Sequence, residues 1–186
     1  MLVAPHQFSA EEYHAMVENG MLAPDARVEL LEGIVVDMAP IGPFHVGVTA
    51  ELSRLFTLAG PDKWLVMTQM PVRLNDGTEL QPDIMLVPLD FAEFKRRTVI
   101  ATDVRLLIEV SDTSVRYDRE RKVPLYAAAQ IPEVWIVNLD DHFVEVHRTP
   151  KGASYMHVQQ VRSGEFASPL AFPDVQVDVA KLLRIR

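Results

Sequence analysis

The chain has 186 residues, 48% of them hydrophobic and 24% charged, which suits a single globular domain over residues 1–186 and argues against disorder. It contains no cysteine, so disulfides, thiol nucleophiles and cysteine-based zinc sites are excluded. A formal net charge of -8 counts against strong sequence-independent binding of nucleic acid, and no run approaches the ~20 apolar residues that span a bilayer. Met1 to Phe8 lack the basic patch and apolar core of a signal peptide, so a cytoplasmic protein is expected.

Ser9-Ala-Glu-Glu12 predicts a capping box that opens a first helix, closed at Gly20. Arg27–Leu31 and Ile34–Met38 read as strands joined by a tight Glu32-Gly33 turn. After the break at Ala39–Pro43, the spacing of Val48, Leu52, Leu55, Phe56 and Ala59 predicts a second helix. Trp64–Leu74 is expected as one long strand, turning at Asn75-Asp76-Gly77 into a hairpin with Gln81–Val87. Phe91–Arg97 is a short helix or loop, and Val104–Val110 is nearly all apolar, as in a sheet covered on both faces. Arg116–Ala129 has a helical pattern that Pro124 must kink or delay. Strands follow at Val134–Leu139, Phe143–Arg148 and Tyr155–Val161, then a last helix over Val179–Arg184 capped by Asp178. The order describes one α/β domain with a small C-terminal β extension.

Two acids interrupt the most apolar strands. Asp83 follows Pro82 and precedes Ile84-Met-Leu-Val87, and Glu109 lies between Ile108 and Val110. A buried carboxylate is costly without a cation or strong donors. Mg²⁺ takes one or two carboxylates and completes its shell with water and phosphate, and acids on neighbouring strands can share one ion. Taken singly, Asp83 is equally well a turn aspartate and Glu109 a strand-end residue paired with arginine; taken together they favour a metal site. Lys122 falls on a helical stripe with Leu125, Tyr126 and Ala129, where a lysine either snorkels at the border of the core or serves a phosphate. Asp118, one turn earlier, is its candidate salt-bridge partner. His142 and His147 point to opposite faces of a strand, which argues against a joint metal role. No Walker loop, dinucleotide fingerprint or nucleophile elbow is present.

Gln81-Pro-Asp83 followed by Ile108-Glu-Val110 resembles the Pro-Asp…(Asp/Glu)-x-Lys signature of restriction-endonuclease-like nucleases. With Arg27-Val-Glu-Leu-Leu-Glu-Gly33, His45, Glu109-Val-Ser-Asp-Thr-Ser114, Asp118-Arg-Glu-Arg-Lys122, Tyr126 and Pro132-Glu-Val-Trp135, the chain is similar to the Uma family of putative endonucleases from about Phe8 onward. The resemblance implies a restriction-endonuclease-like core, a central mixed β-sheet flanked by helices, and Mg²⁺-dependent (or Mn²⁺-dependent) hydrolysis of DNA. Asp83 and Glu109 would be metal ligands and Lys122 the catalytic lysine, because the usual lysine position, two after the second acid, is Ser111. The resemblance also brings Glu29 near the site, as a ligand, a water-orienting group or simply a partner of Arg27. It brings His45 there too, as a hydrogen-bonded histidine or a general acid.

Two rivals accompany this reading: a non-catalytic nucleic-acid-binding or assembly module on the same fold, suggested by the acidic balance and Ser111, and a hydrolase of small phosphoesters. Lys95, Arg96, Arg97, Arg116, Arg119 and Arg121 are candidate phosphate contacts. A homodimer is expected through Glu133–Leu139 and its hairpin partner, using Trp135 and Phe143.

Overall fold

The computed structural model describes residues 4–23 and 25–184, so Met1–Val3 of the N-terminal reading lie outside it. Ser9 and Glu12 form the expected reciprocal cap of helix α1 (Ala10–Glu18). Strands β1 (Val28–Leu31) and β2 (Ile34–Asp37) pair antiparallel across Glu32 and Gly33, both at positive φ. Helix α2 (Pro43–Ala59) follows with Pro43 in its first turn, where a missing N–H costs nothing.

The expected long strand is two. β3 (Trp64–Thr68) and β4 (Val72–Asn75) lie in different sheets, and their partners β6 (Ile84–Pro88) and β5 (Thr78–Leu80) divide in the same way. One hairpin register nevertheless runs through both pairs, Met67 facing Met85 on one side of the break and Val72 facing Leu80 on the other. The break falls where Pro71 and Pro82 each withdraw a ladder donor and Gln69 takes a φ of 52°. Asp83 sits at this opening.

The short helix α3 (Phe91–Phe94) and strand β7 (Val99–Ile100) lead to β8 (Leu106–Ser111). A helical run then crosses over to β9 (Glu133–Asn138), which lies parallel to β8. That run comprises α4 (Val115–Tyr117), a π turn at Asp118–Lys122 and α5 (Val123–Ala128). The wide turn is the local answer to Pro124: the Val123 N–H reaches back to Asp118 O, and the helix continues past a residue that cannot donate.

β10 (Phe143–Lys151) and β11 (Ser154–Val161) complete a six-stranded mixed sheet ordered β11-β10-β9-β8-β6-β3. The C-terminal strands thus extend the central sheet itself. A five-stranded sheet, β2-β1-β5-β4-β7, packs beside it, and a small pair, β12 (Phe166–Ala167) with β13 (Val177–Asp178), precedes helix α6 (Val179–Leu182), capped by Asp178 as expected.

Each face of the central sheet has its own core. Val48, Leu52 and Phe56 of α2, with Leu182 of α6, cover Ile84, Leu86, Ile108 and Trp135. On the other face Val123, Tyr126 and Ala127 of α5, with Leu31, Val72 and Leu80 of the second sheet, cover Met85, Leu107 and Ile136. Trp135 and Phe143 are buried, on an interior strand and its neighbour, so the expected dimer contact through them is not available.

Candidate active site

Ile84 faces Ile108 across the β6–β8 ladder. Continued one step past the end of the ladder, that register sets Asp83 level with Glu109. The structure fixes this pairing through a side chain: Asp83 Oδ2 accepts the Val110 N–H at 2.8 Å. His45 Nε2, from the first turns of α2, lies 3.0 Å from the same oxygen, and Gln69 Nε2 lies 3.4 Å from Oδ1.

Glu109 is engaged through one oxygen. Its Oε1 accepts from Lys122 Nζ at 3.3 Å and from the Tyr126 hydroxyl at 2.5 Å. Lys122 also donates to Glu29 Oε1 at 2.9 Å, the atom that accepts the Gln81 N–H at 2.7 Å. Glu29 is therefore joined to the Gln-Pro-Asp segment and the lysine, and not to Arg27. All five predicted residues, Asp83, Glu109, Lys122, Glu29 and His45, are buried and converge on one cleft.

Two expectations change. Asp118 is not the salt-bridge partner of Lys122; its Oδ2 accepts the hydroxyls of Ser111 at 2.8 Å and Ser114 at 2.7 Å. Ser111, two residues on from Glu109 and so on the same face of β8, ties down the π turn from which Lys122 projects. The basic residues expected around the cleft are largely committed elsewhere. Arg97 pairs with Glu93 and Asp103, Arg116 with Glu120, Arg119 with Glu145 and Arg121 with Glu32. Tyr126 is the participant that sequence reasoning passed over as a core residue.

The electrostatics follow from burial. Four carboxylates, Glu29, Asp83, Glu109 and Asp118, are buried around one buried ammonium and one histidine. Desolvation lifts the Glu109 carboxyl to about 8 against the pull of Lys122. Burial alone would lower Lys122, but Glu109 and Glu29 outweigh it and raise the lysine, which keeps its proton. Desolvation and the Glu109 charge raise the Tyr126 hydroxyl well above its ordinary range, so it stays a donor.

This donor set fits a hard divalent cation. The charge balance is anionic, Glu109 Oε2 accepts no hydrogen bond among the described residues, and Asp83 Oδ1 receives only the long one from Gln69. Among the described residues no three acids or imidazoles form a complete cage.

A six-stranded mixed sheet with a parallel β8–β9 crossover and paired acids at its open end defines a restriction-endonuclease-like fold. A crystal structure of a putative nuclease belonging to DUF820 from Anabaena variabilis shares it, with a TM-score of 0.67 at 13% identity, over 84% of this chain and 89% of that one. The chain belongs to the Uma2 family, described as putative restriction endonuclease, whose profile matches residues 10–180. No curated protein matches it significantly. Among the described residues no helix is long and apolar enough to cross a membrane.

Proposed function

We propose that this chain is a cytoplasmic nuclease that hydrolyses DNA phosphodiester bonds with Mg²⁺, or Mn²⁺ in its place, held by Asp83 and Glu109. The observation that carries this reading is the 2.8 Å bond from the Val110 N–H to Asp83, which ties one acid to the residue that follows the other. Membership of a family described as putative restriction endonuclease supports the reaction class. When bound, the ion would supply Lewis-acid charge against the phosphate and lower the pKa of a water.

The remaining work falls to the chain. Glu29 and Glu109 each accept a hydrogen bond from the Lys122 ammonium, leaving its third N–H for a phosphate oxygen or the attacking water. In-line attack by water on phosphorus then forms one P–O bond as the other breaks; the attacking water gives up a proton to solvent and the leaving alkoxide takes one up from solvent. His45 acts through Asp83, whose oxygen it contacts, and Tyr126 through Glu109; both are positioning residues.

Asp83→Asn and Glu109→Gln are each expected to lower Mg²⁺-dependent cleavage by about 100-fold or more, with an unchanged circular dichroism spectrum. Variants that cut like the parent would overturn the proposal. Ser111, at the customary lysine position but bonded to Asp118, favours one second reading: a non-catalytic nucleic-acid-binding module. Calorimetry showing no Mg²⁺ or Mn²⁺ uptake at millimolar metal would select it. A homodimer would have to form through a face other than that of Trp135 and Phe143.

A further inference from the structure

The cleft has two chemically different halves. Its floor is the acid cluster around Lys122. Its mouth carries two large apolar side chains, Ile41 on the loop between β2 and α2 and Tyr117 on the helical run after β8, 37% and 38% exposed, beside the exposed Asp37 and Asp112. The two walls approach each other closely: a Cβ added at Gly42 would stand 4.0 Å from Asp112 Oδ2. The cleft offers about 250 Å³, enough for a single nucleotide unit.

The distribution of positive charge points the same way. A duplex presents two phosphate backbones, and proteins that grip it neutralise both with lysine and arginine. Here Arg97, Arg116, Arg119 and Arg121 are already paired with carboxylates, and the chain carries a net charge of -8. Arg27, like Lys95 and Arg96, enters none of the ion pairs found among the described residues, and of these three it alone lines the cleft, where it is exposed. One cation beside an aromatic and an aliphatic side chain is the equipment for a single strand, which binds through base stacking and one tracked backbone.

We propose that the cleft accepts an unpaired stretch of DNA, one base held between Tyr117 and Ile41 and the adjacent phosphate held by Arg27. The inference rests on the nuclease reading and names its substrate class. Stacking is tolerant of sequence, because every base has a π face, so a cleft of this kind selects the unpaired state and not a particular base.

The test uses the full chain and an oligonucleotide carrying one 2-aminopurine, with Ca²⁺ replacing Mg²⁺ so that binding is read without cleavage. The single strand is expected to bind about tenfold or more tightly than the same sequence as a duplex, with 2-aminopurine fluorescence quenched on stacking. Tyr117→Ala should lose the quench and weaken binding about tenfold, whereas Tyr117→Phe should keep both. Arg27→Gln should leave the quench and lower the salt dependence of binding by about one phosphate contact. Equal or tighter binding of the duplex, tighter binding of RNA of the same sequence, or a Tyr117→Ala variant that quenches like the parent would overturn the inference and leave the nuclease reading standing. If the parent with Mg²⁺ or Mn²⁺ cuts neither form, the nuclease reading falls and takes this inference with it.

Discussion

Asp83 Oδ2 receives the backbone N–H of Val110 at 2.8 Å, so a side chain from the start of β6 completes the ladder of β8 just past Glu109. The bond answers two needs together. It gives a buried carboxylate a strong donor, and it holds that carboxylate beside a second one that like charge would otherwise push away. The proline before Asp83 contributes by opening the β3–β6 ladder, which frees the Gln81 N–H for Glu29.

Lys122 and Glu109 should answer differently to removal. Lys122→Met leaves the buried Glu29 carboxylate without its cation and is expected to cost about 3–5 kcal/mol in urea unfolding. Glu109→Gln removes a carboxyl that folding lifts to about 8 and that the unfolded chain ionises near 4.5, so at pH 7 the variant should be more stable than the parent, by on the order of 2–3 kcal/mol. Similar destabilisation by both would refute the charge balance described for the cluster.

Ser111→Ala removes one of the two hydroxyls that hold Asp118. A loss of about 1 kcal/mol in stability is expected. Because Asp118 begins the π turn that ends at Lys122, cleavage should fall several-fold while affinity for Mn²⁺ in calorimetry is unchanged. A change in metal affinity with intact turnover would argue that Ser111 serves the acids directly.

Glu145 provides a pH test remote from the cleft. The hydrogen bond from His147, then that from Arg119, hold its carboxyl down to about 2 despite burial. A carboxyl lowered on folding lends stability that is complete above its ordinary value near 4.5 and disappears as pH falls through about 2. Relative to Glu145→Gln, the parent should therefore lose on the order of 2–3 kcal/mol across that window in acid titrations of unfolding. A parent and variant that run parallel would contradict the assigned pairing.

Features that depend on local chemistry could be read from the sequence. The Ser9 cap, the Glu32-Gly33 turn and the apolar β8 follow from residue types a few positions apart. Acids inside apolar runs are conspicuous for the same reason. What escaped depends on packing between distant segments. Pro71 is visible in the sequence, but that it faces Gln81 next to Pro82, and so splits a hairpin between two sheets, requires the register. Trp135 and Phe143 look available until the strand order encloses them. Tyr126 lies on the same helical stripe as core residues, and only its hydroxyl contact with Glu109 sets it apart. Asp118 is one turn from Lys122, yet two serine hydroxyls claim it first.

The central claim is that Asp83 and Glu109 share one divalent ion. A crystal soaked in Mn²⁺ and measured at the manganese absorption edge tests it most directly. The account predicts one anomalous peak in contact with both carboxylates and the Lys122 ammonium nearby. No peak there, or a peak bound by only one of the two acids, would contradict it.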